Sequence, residues 1–195
     1  MYEAKNFDHI LGIKGLSDTL LKNHFTLYAG YVTNFNKLND ILVAMEKEGK
    51  FGTPEYAELN RRLGWEWNGM RLHELYFGNM TKEAANKTTT KDSAFEKALV
   101  KSFGSYEMWD KDFRAMAAMR GIGWIVLYHD TQSGNLFNVW VNEHDVGHLA
   151  GAVPLLVMDV FEHAYITDYG IKRADYINVF MESIDWKEVE RRMGK

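Results

Sequence analysis

HFTLYAGYVTNFNKLNDILVAMEKEGKFGTPEYAELNRRLGWEWNGMRLHELYF, residues 24 to 77, decides the architecture of the N-terminal half. His24, Tyr28, Tyr31, Phe35, Leu38, Leu42 and Met45 recur at spacings of four and three, the seam of a helix packed on a partner. EKEGKFGTP, residues 46 to 54, gathers Gly49, Gly52 and Pro54, so the chain turns there. A second seam runs through Tyr56, Leu59, Leu63, Glu66, Met70, His73 and Phe77. Residues 17 to 80 thus read as an antiparallel helical hairpin, with Ser17 and Asp18 as cap candidates. Both seams contain a histidine. Measured from a turn at Phe51, His24 lies about 40 Å of helix before it and His73 about 33 Å after it. Both imidazoles therefore reach the same open end, as core histidines or as a pair of ligands.

Composition narrows the chemistry. The 195 residues are 46% hydrophobic and 26% charged, enough for a sizeable core. The absence of cysteine excludes disulfides, thiolate zinc sites, iron–sulfur clusters and cysteine nucleophiles, so any metal must be held by histidine and carboxylate. A net charge of -4 argues against a nucleic-acid partner. No apolar run approaches the roughly 18 residues that span a bilayer, and residues 1 to 16 lack a signal-peptide core. The expectation is a cytoplasmic protein with no membrane partner.

Past residue 86 the pattern changes. A loop rich in Asn, Lys and Thr, residues 86 to 91, reads as a boundary between a helical-hairpin domain (1–88) and a second domain (89–195). Ser93 with Glu96 opens a helix to about Phe103, and another spans about Ser105 to Arg120. The period then becomes two in GWIVLYHD, 123 to 130, and NLFNVWVN, 135 to 142, a hairpin joined by TQSG. LLVMDV, 155 to 160, is a third strand candidate, and helices from about Phe161 to Tyr169 and from Ala174 to Met193 close the chain. The fold class is α+β: an N-terminal antiparallel helical hairpin, then a C-terminal domain with a small three-stranded antiparallel sheet.

DVFEHAY, residues 159 to 165, sets Asp159 four residues before His163. A carboxylate beside an imidazole in apolar surroundings needs compensation, from an ion pair or from a metal. Three histidines and an aspartate form an N/O donor set suited to iron, manganese or zinc.

Here the residues resemble the iron/manganese superoxide dismutase family. DVFEHAYITDYGIKRADYINVFMESIDW, residues 159 to 186, is similar to its signature stretch, and GIGWIVL, 121 to 127, to its GSGWxWL strand. YVTNFN, 31 to 36, and HELYF, 73 to 77, match the ends of its first two helices. The resemblance implies one Fe or Mn ion per subunit held by His24, His73, Asp159 and His163, with either metal possible. It implies that superoxide is disproportionated to dioxygen and hydrogen peroxide as the ion cycles between trivalent and divalent states. It also implies a homodimer or homotetramer.

The same resemblance assigns outer positions. His144 stands where many relatives carry a Gln that bonds the solvent on the ion; the other family option, a Gln four residues before the second ligand, is Gly69 here. Tyr31 is the preferred gate tyrosine. It lies seven residues after His24 where eight is usual, and Tyr28, in the place of a common second histidine, is the rival. Ile166 replaces a usual tyrosine, so the family's His/Tyr gate pair is missing. Trp124 is retained in the aromatic cage, whereas Phe77, Phe161 and Met181 replace tryptophans and Val126 replaces another; Val126 and Met181 read as core. Glu162 matches a residue that reaches a partner's ligand histidine in relatives, and Arg173 matches a cation that attracts the anionic substrate. His148, four after His144, has the spacing of a metal pair but is not read as one. His9 and His129 read as surface residues.

Rival chemistries fit less well. No Glu precedes a His by three, as a ferritin-like di-iron site requires, and HELYF lacks the second His of HExxH. GIGWIV lacks the third Gly of a dinucleotide loop. The remaining alternative is a metal-binding relative with little turnover, serving storage or a structural role.

Overall fold

A computed structural model describes residues 1–83 and 89–194. The domain boundary at 88/89 and part of the Asn/Lys/Thr loop lie outside the described residues. The hairpin consists of α1 (Asp18–Lys47) and α2 (Pro54–Gly78). Ser17 caps α1 by accepting from Leu20 N–H (3.1 Å); Thr53 caps α2 by accepting from Tyr56 N–H (3.2 Å), with Pro54 at the first helical position. Along α1 the buried stripe is Leu20, Leu21, His24, Tyr28, Val32, Phe35, Leu38, Leu42 and Met45. Val32, rather than Tyr31, takes the fully covered slot, and Tyr31 is half-buried beside it.

The second half starts with α3 (Ala94–Phe103) and α4 (Tyr106–Ala117), capped by Ser93 and Ser105. Strands β1 (Gly123–Asp130), β2 (Asn135–Asn142) and β3 (Val153–Asp159) follow, in the spatial order β2-β1-β3, antiparallel throughout. The third strand thus begins two residues earlier than expected and ends one earlier. At one end of the sheet Trp124 lies opposite Asp159 on β3 and Val141 on β2. That end faces the open end of the hairpin, and the site forms between them. Among the described residues, no helix is long and apolar enough to cross a membrane.

The C-terminal helices are more broken than the sequence suggests. After Asp159 the chain makes a 3-10 turn (Glu162–Ala164) and only then α5 (Ile166–Tyr169), because Asp159 Oδ1 accepts the Phe161 N–H at 2.8 Å and delays the helix. The single helix expected from 174 to 193 is α6 (Arg173–Ser183) and α7 (Trp186–Met193). Between them the chain pairs with the segment after α2: Thr81 N–H donates to Ser183 C=O (2.7 Å) and Asp185 N–H to Asn79 C=O (2.9 Å). Asp185 then caps α7 through Glu188 N–H. The helix before the sheet ends at Ala117, short of Arg120.

Asn79 joins the two halves. Fully buried at the end of α2, its Oδ1 accepts from Val157 N–H of β3 (2.8 Å) and from Arg192 Nη1 (3.3 Å), while its Nδ2 donates to Tyr76 C=O (2.9 Å). Arg192, also buried, donates to Leu155 C=O of β3 (2.9 Å) and Leu75 C=O of α2 (2.9 Å). Together they satisfy backbone groups on the outer edge of β3, which would otherwise be buried without partners. Asn79→Ala is expected to cost about 2–4 kcal/mol, since it strands buried polar groups on both halves. The urea midpoint of the metal-free protein measures it.

Candidate metal centre

Four side chains meet at the junction: His24 from α1, His73 from α2, Asp159 from the end of β3 and His163 from the turn after it. One ligand atom from each lies within 4.8 Å of every other. Asp159 Oδ2 is 3.1 Å from His163 Nε2, 3.2 Å from His24 Nε2 and 3.8 Å from His73 Nε2. Donors sit about 2.0–2.2 Å from a bound transition ion, so two donors on one ion are at most about 4.4 Å apart. The cluster is close to that span. His24 Nε2 and His73 Nε2 are buried and lie outside hydrogen-bond geometry with any protein group. Buried lone pairs left without donors are costly, and an ion at the centre would take them up. The residues present therefore fit one mononuclear ion.

The neighbours orient this set. His73 donates Nδ1–H to Gly69 C=O (2.5 Å), which leaves Nε2 as the free lone pair. Asp159 Oδ1 is occupied by Phe161 N–H, so Oδ2 is the oxygen turned to the imidazoles. Tyr176 donates to Asp159 C=O (2.7 Å) and lies 3.0 Å from the Tyr76 hydroxyl, which pins the end of β3 from below. The electrostatics match. Burial alone would raise Asp159, but His163 and His24 hold it well below the usual carboxylate range. Burial lowers His24 and His73, and the neutral ring is the form that can ligate. His163, which burial would lower, is instead raised by Asp159.

Beside the cluster lies a second set of contacts. Trp124 donates its indole N–H to His144 Nδ1 (3.0 Å), and His144 Nε2 lies 2.8 Å from the Tyr31 hydroxyl. An indole N–H can only donate, so Nδ1 is the acceptor and the neutral His144 ring carries its proton on Nε2. Nε2–H donates to the Tyr31 oxygen, and the tyrosine's own proton is left to donate elsewhere. Burial pushes His144 down to about 4 and Tyr31 up to about 12, so the ring stays neutral and the phenol protonated around neutral pH. Tyr31 also stacks on His73, with centroids 5.2 Å apart. Its rival is turned away: the Tyr28 hydroxyl donates to Glu74 Oε1 (3.0 Å) and accepts from Lys5 N–H, 6.3 Å separating its ring from that of His73.

Gly69 explains the position of Tyr31. A Cβ at 69 would stand 2.5 Å from the Tyr31 ring, so the absent side chain is what lets this phenol lie flat on α2. The aromatic wall is Phe77 against His24 (4.9 Å), Phe161 stacked between His163 (5.2 Å) and His144 (5.1 Å), and Trp124 edge-on to His73 (4.9 Å). Val126 and Met181 are buried core. Arg173 donates to Gly121 C=O (3.0 Å) with its guanidinium 5.9 Å from the Trp140 ring. Glu162 is exposed. His9 is exposed as expected, but His129 is not a surface residue: it is covered within β1.

Trp65 escaped the sequence reading. Its ring lies 4.5 Å from His144 and 5.5 Å from Tyr31, its N–H donates to Glu143 Oε2 (3.3 Å), and Arg62 sits over its face at 3.7 Å. The signal was its place on α2, four before Gly69 and eight before His73, on the same helical face.

Residues 90–192 match the family described as iron/manganese superoxide dismutases, C-terminal domain. The chain is 36% identical over 170 residues to the manganese superoxide dismutase 2 of Haloferax volcanii, covering 87% of this chain and 82% of that one. It is 33% identical over 195 residues to the iron enzyme of Aquifex pyrophilus, covering 96% and 90%. To the iron enzyme of Sulfolobus acidocaldarius it is 34% identical over 170 residues, covering 86% and 80%.

Two outcomes follow from this geometry. Gly69→Ala should destabilise the fold by about 1–3 kcal/mol, because the methyl displaces the Tyr31 ring; thermal unfolding checks it. His24, His73 and His144 titrate below the ordinary value of about 6.5 when folded, so the unfolded chain takes up protons first. The metal-free protein should lose stability as pH falls from about 6.5 toward 4. His163, raised, acts in the opposite sense: its contribution is present below about 6.5 and is lost as pH rises. Urea midpoints across that range should drop on acidification, and His144→Gln should flatten part of the drop.

Proposed function

From the premise that the chain belongs to the iron/manganese superoxide dismutase family, we propose that its catalytic centre is the His24, His73, Asp159 and His163 cluster. The reaction is the disproportionation of superoxide: one anion gives up an electron to become dioxygen, and the next takes an electron and two protons to become hydrogen peroxide. The bound ion, iron or manganese, supplies the redox couple by alternating between trivalent and divalent states. Support for these four as the ligands comes from the two buried Nε2 atoms that no protein donor reaches.

The protein's own share is to neutralise, exclude and deliver. Asp159 contributes the one negative charge and the three imidazoles bind as neutral donors. Trp124, Phe77, Phe161 and Trp65 keep bulk water from the cluster, which strengthens every charge interaction inside. Tyr31 and His144 are the proton-holding pair: the His144 Nε2–H engages the phenol oxygen, which leaves the phenol proton aimed away from His144 and available to a reduced substrate. This pair stands in for the family's missing gate. Tyr28, with its hydroxyl engaged by Glu74, supports the pocket from behind.

The same reading extends to assembly. Ligand His163 keeps 26% of its side chain exposed, beside exposed Glu162. Leu27, one turn after His24, and Ile166, three after His163, are 45% and 49% exposed. Exposed apolar side chains on the two segments that carry His24 and His163 suit a two-fold contact between copies, with Glu162 reaching the partner's site. The division into a hairpin domain (1–88) and a second domain (89–195) is supported by where the family match begins. A cytoplasmic location accords with the absence of a spanning helix among the described residues.

Stripping the protein and reloading it separately with iron and with manganese tests the activity. About one ion per chain and rapid superoxide consumption with at least one metal is expected. Stoichiometric binding of both without turnover would overturn it, leaving a protein that only holds metal. His163→Ala should lose most metal and activity; full retention of both would remove His163 from the ligand set.

A further inference from the structure

The loop that carries His144 holds a second histidine that neither the cluster nor the proton-holding pair uses. We propose that His148 is a positioning residue, whose ring ties the His144 backbone to β1 and so fixes where the His144 imidazole stands. The inference rests on the reading of His144 as part of a superoxide dismutase site.

His148 Nε2 is 2.9 Å from His144 C=O. A carbonyl only accepts, so Nε2 carries the proton and Nδ1 of the neutral ring accepts from the Tyr128 hydroxyl at 2.8 Å. Tyr128 is buried on β1, four residues after Trp124. One strand therefore holds His144 twice: at the ring through Trp124, and at the main chain through Tyr128 and His148.

The loop needs such a tie. Its own closure is a single bridge between Asn142 and Val146, at 2.7 and 3.3 Å. On either side of His144 the backbone enters the left-handed region, at Glu143 (φ 50°) and Gly147 (φ 107°). A Cβ at Gly147 would meet Trp140 C=O at 2.5 Å, so only glycine passes there. Glu143, which is not glycine, stays left-handed only where its surroundings over-determine it. A shift of about 1 Å in the His144 main chain would break the bonds to both Trp124 and Tyr31.

The experiment compares the parent with His148→Ala, His148→Gln and Tyr128→Phe, each reloaded with manganese and also studied metal-free. His148→Ala should keep its metal content, lose about tenfold in turnover, and shift the visible absorption of the bound ion. In the metal-free protein the Trp124 indole N–H resonance should move. His148→Gln, whose amide can reach the same carbonyl, should restore all three, and Tyr128→Phe should reproduce the alanine effect in part. Parent-like turnover, absorption and indole resonance in His148→Ala would overturn the proposal. So would a glutamine variant that regains thermal stability but neither turnover nor absorption. If His148→Ala does not fold, Tyr128→Phe decides by the same readouts. A parent that binds manganese without consuming superoxide would count against the activity itself, while the indole resonance still judges the tie.

Discussion

A single buried carboxylate, Asp159, sits among three imidazoles drawn from both halves of the molecule, and its charge is the constraint around which the rest is arranged. An isolated carboxylate in such a place would protonate or pull the fold open. Here it has three nitrogens within 3.8 Å, a backbone N–H on its other oxygen and a strand end pinned by a pair of tyrosines. The compensation is incomplete without an ion, because both ring nitrogens of His24 and Nε2 of His73 are buried outside hydrogen-bond geometry. The same crowding of donors around one charge is what makes the cluster a good ligand set.

Holding donors from α1, α2 and β3 at these distances demands a stiff joint between hairpin and sheet. Asn79 and Arg192 provide it by bonding the outer edge of β3 and the end of α2 at once. The break between α6 and α7 belongs to the same device, since the residues that leave the helix pair with the segment just after α2. What reads as irregularity in the C-terminal helices is therefore the mechanical link between the halves.

Around the cluster, substitutions compensate one another in space. The missing side chain at 69 admits the Tyr31 ring, Tyr31 reaches His144, and His144 is held by Trp124 and roofed by Trp65. A side chain at 69 would have to displace the Tyr31 ring from its present place. Of the positions that depart from the family pattern, Gly69 and His144 are thus linked in space through Tyr31.

The helical hairpin, the three strands and the coming together of His24 and His73 were legible in the sequence, because hydrophobic period and helical rise are local properties that survive packing. Asp159 and His163 were legible as a pair from their spacing, and as ligands through the family resemblance. Tertiary structure alone decided the rest. Which of Tyr28 and Tyr31 faces the cluster depends on the neighbours each hydroxyl finds, Glu74 for one and His144 for the other. Trp65 and Asn79 owe their places to residues 78 positions away, Glu143 and Val157. The breaks in the last helices follow from bonds to a distant strand-like segment. Period records which way a side chain leaves the backbone, while a hydrogen-bond partner is set by how separate elements dock, and no local pattern encodes that distance.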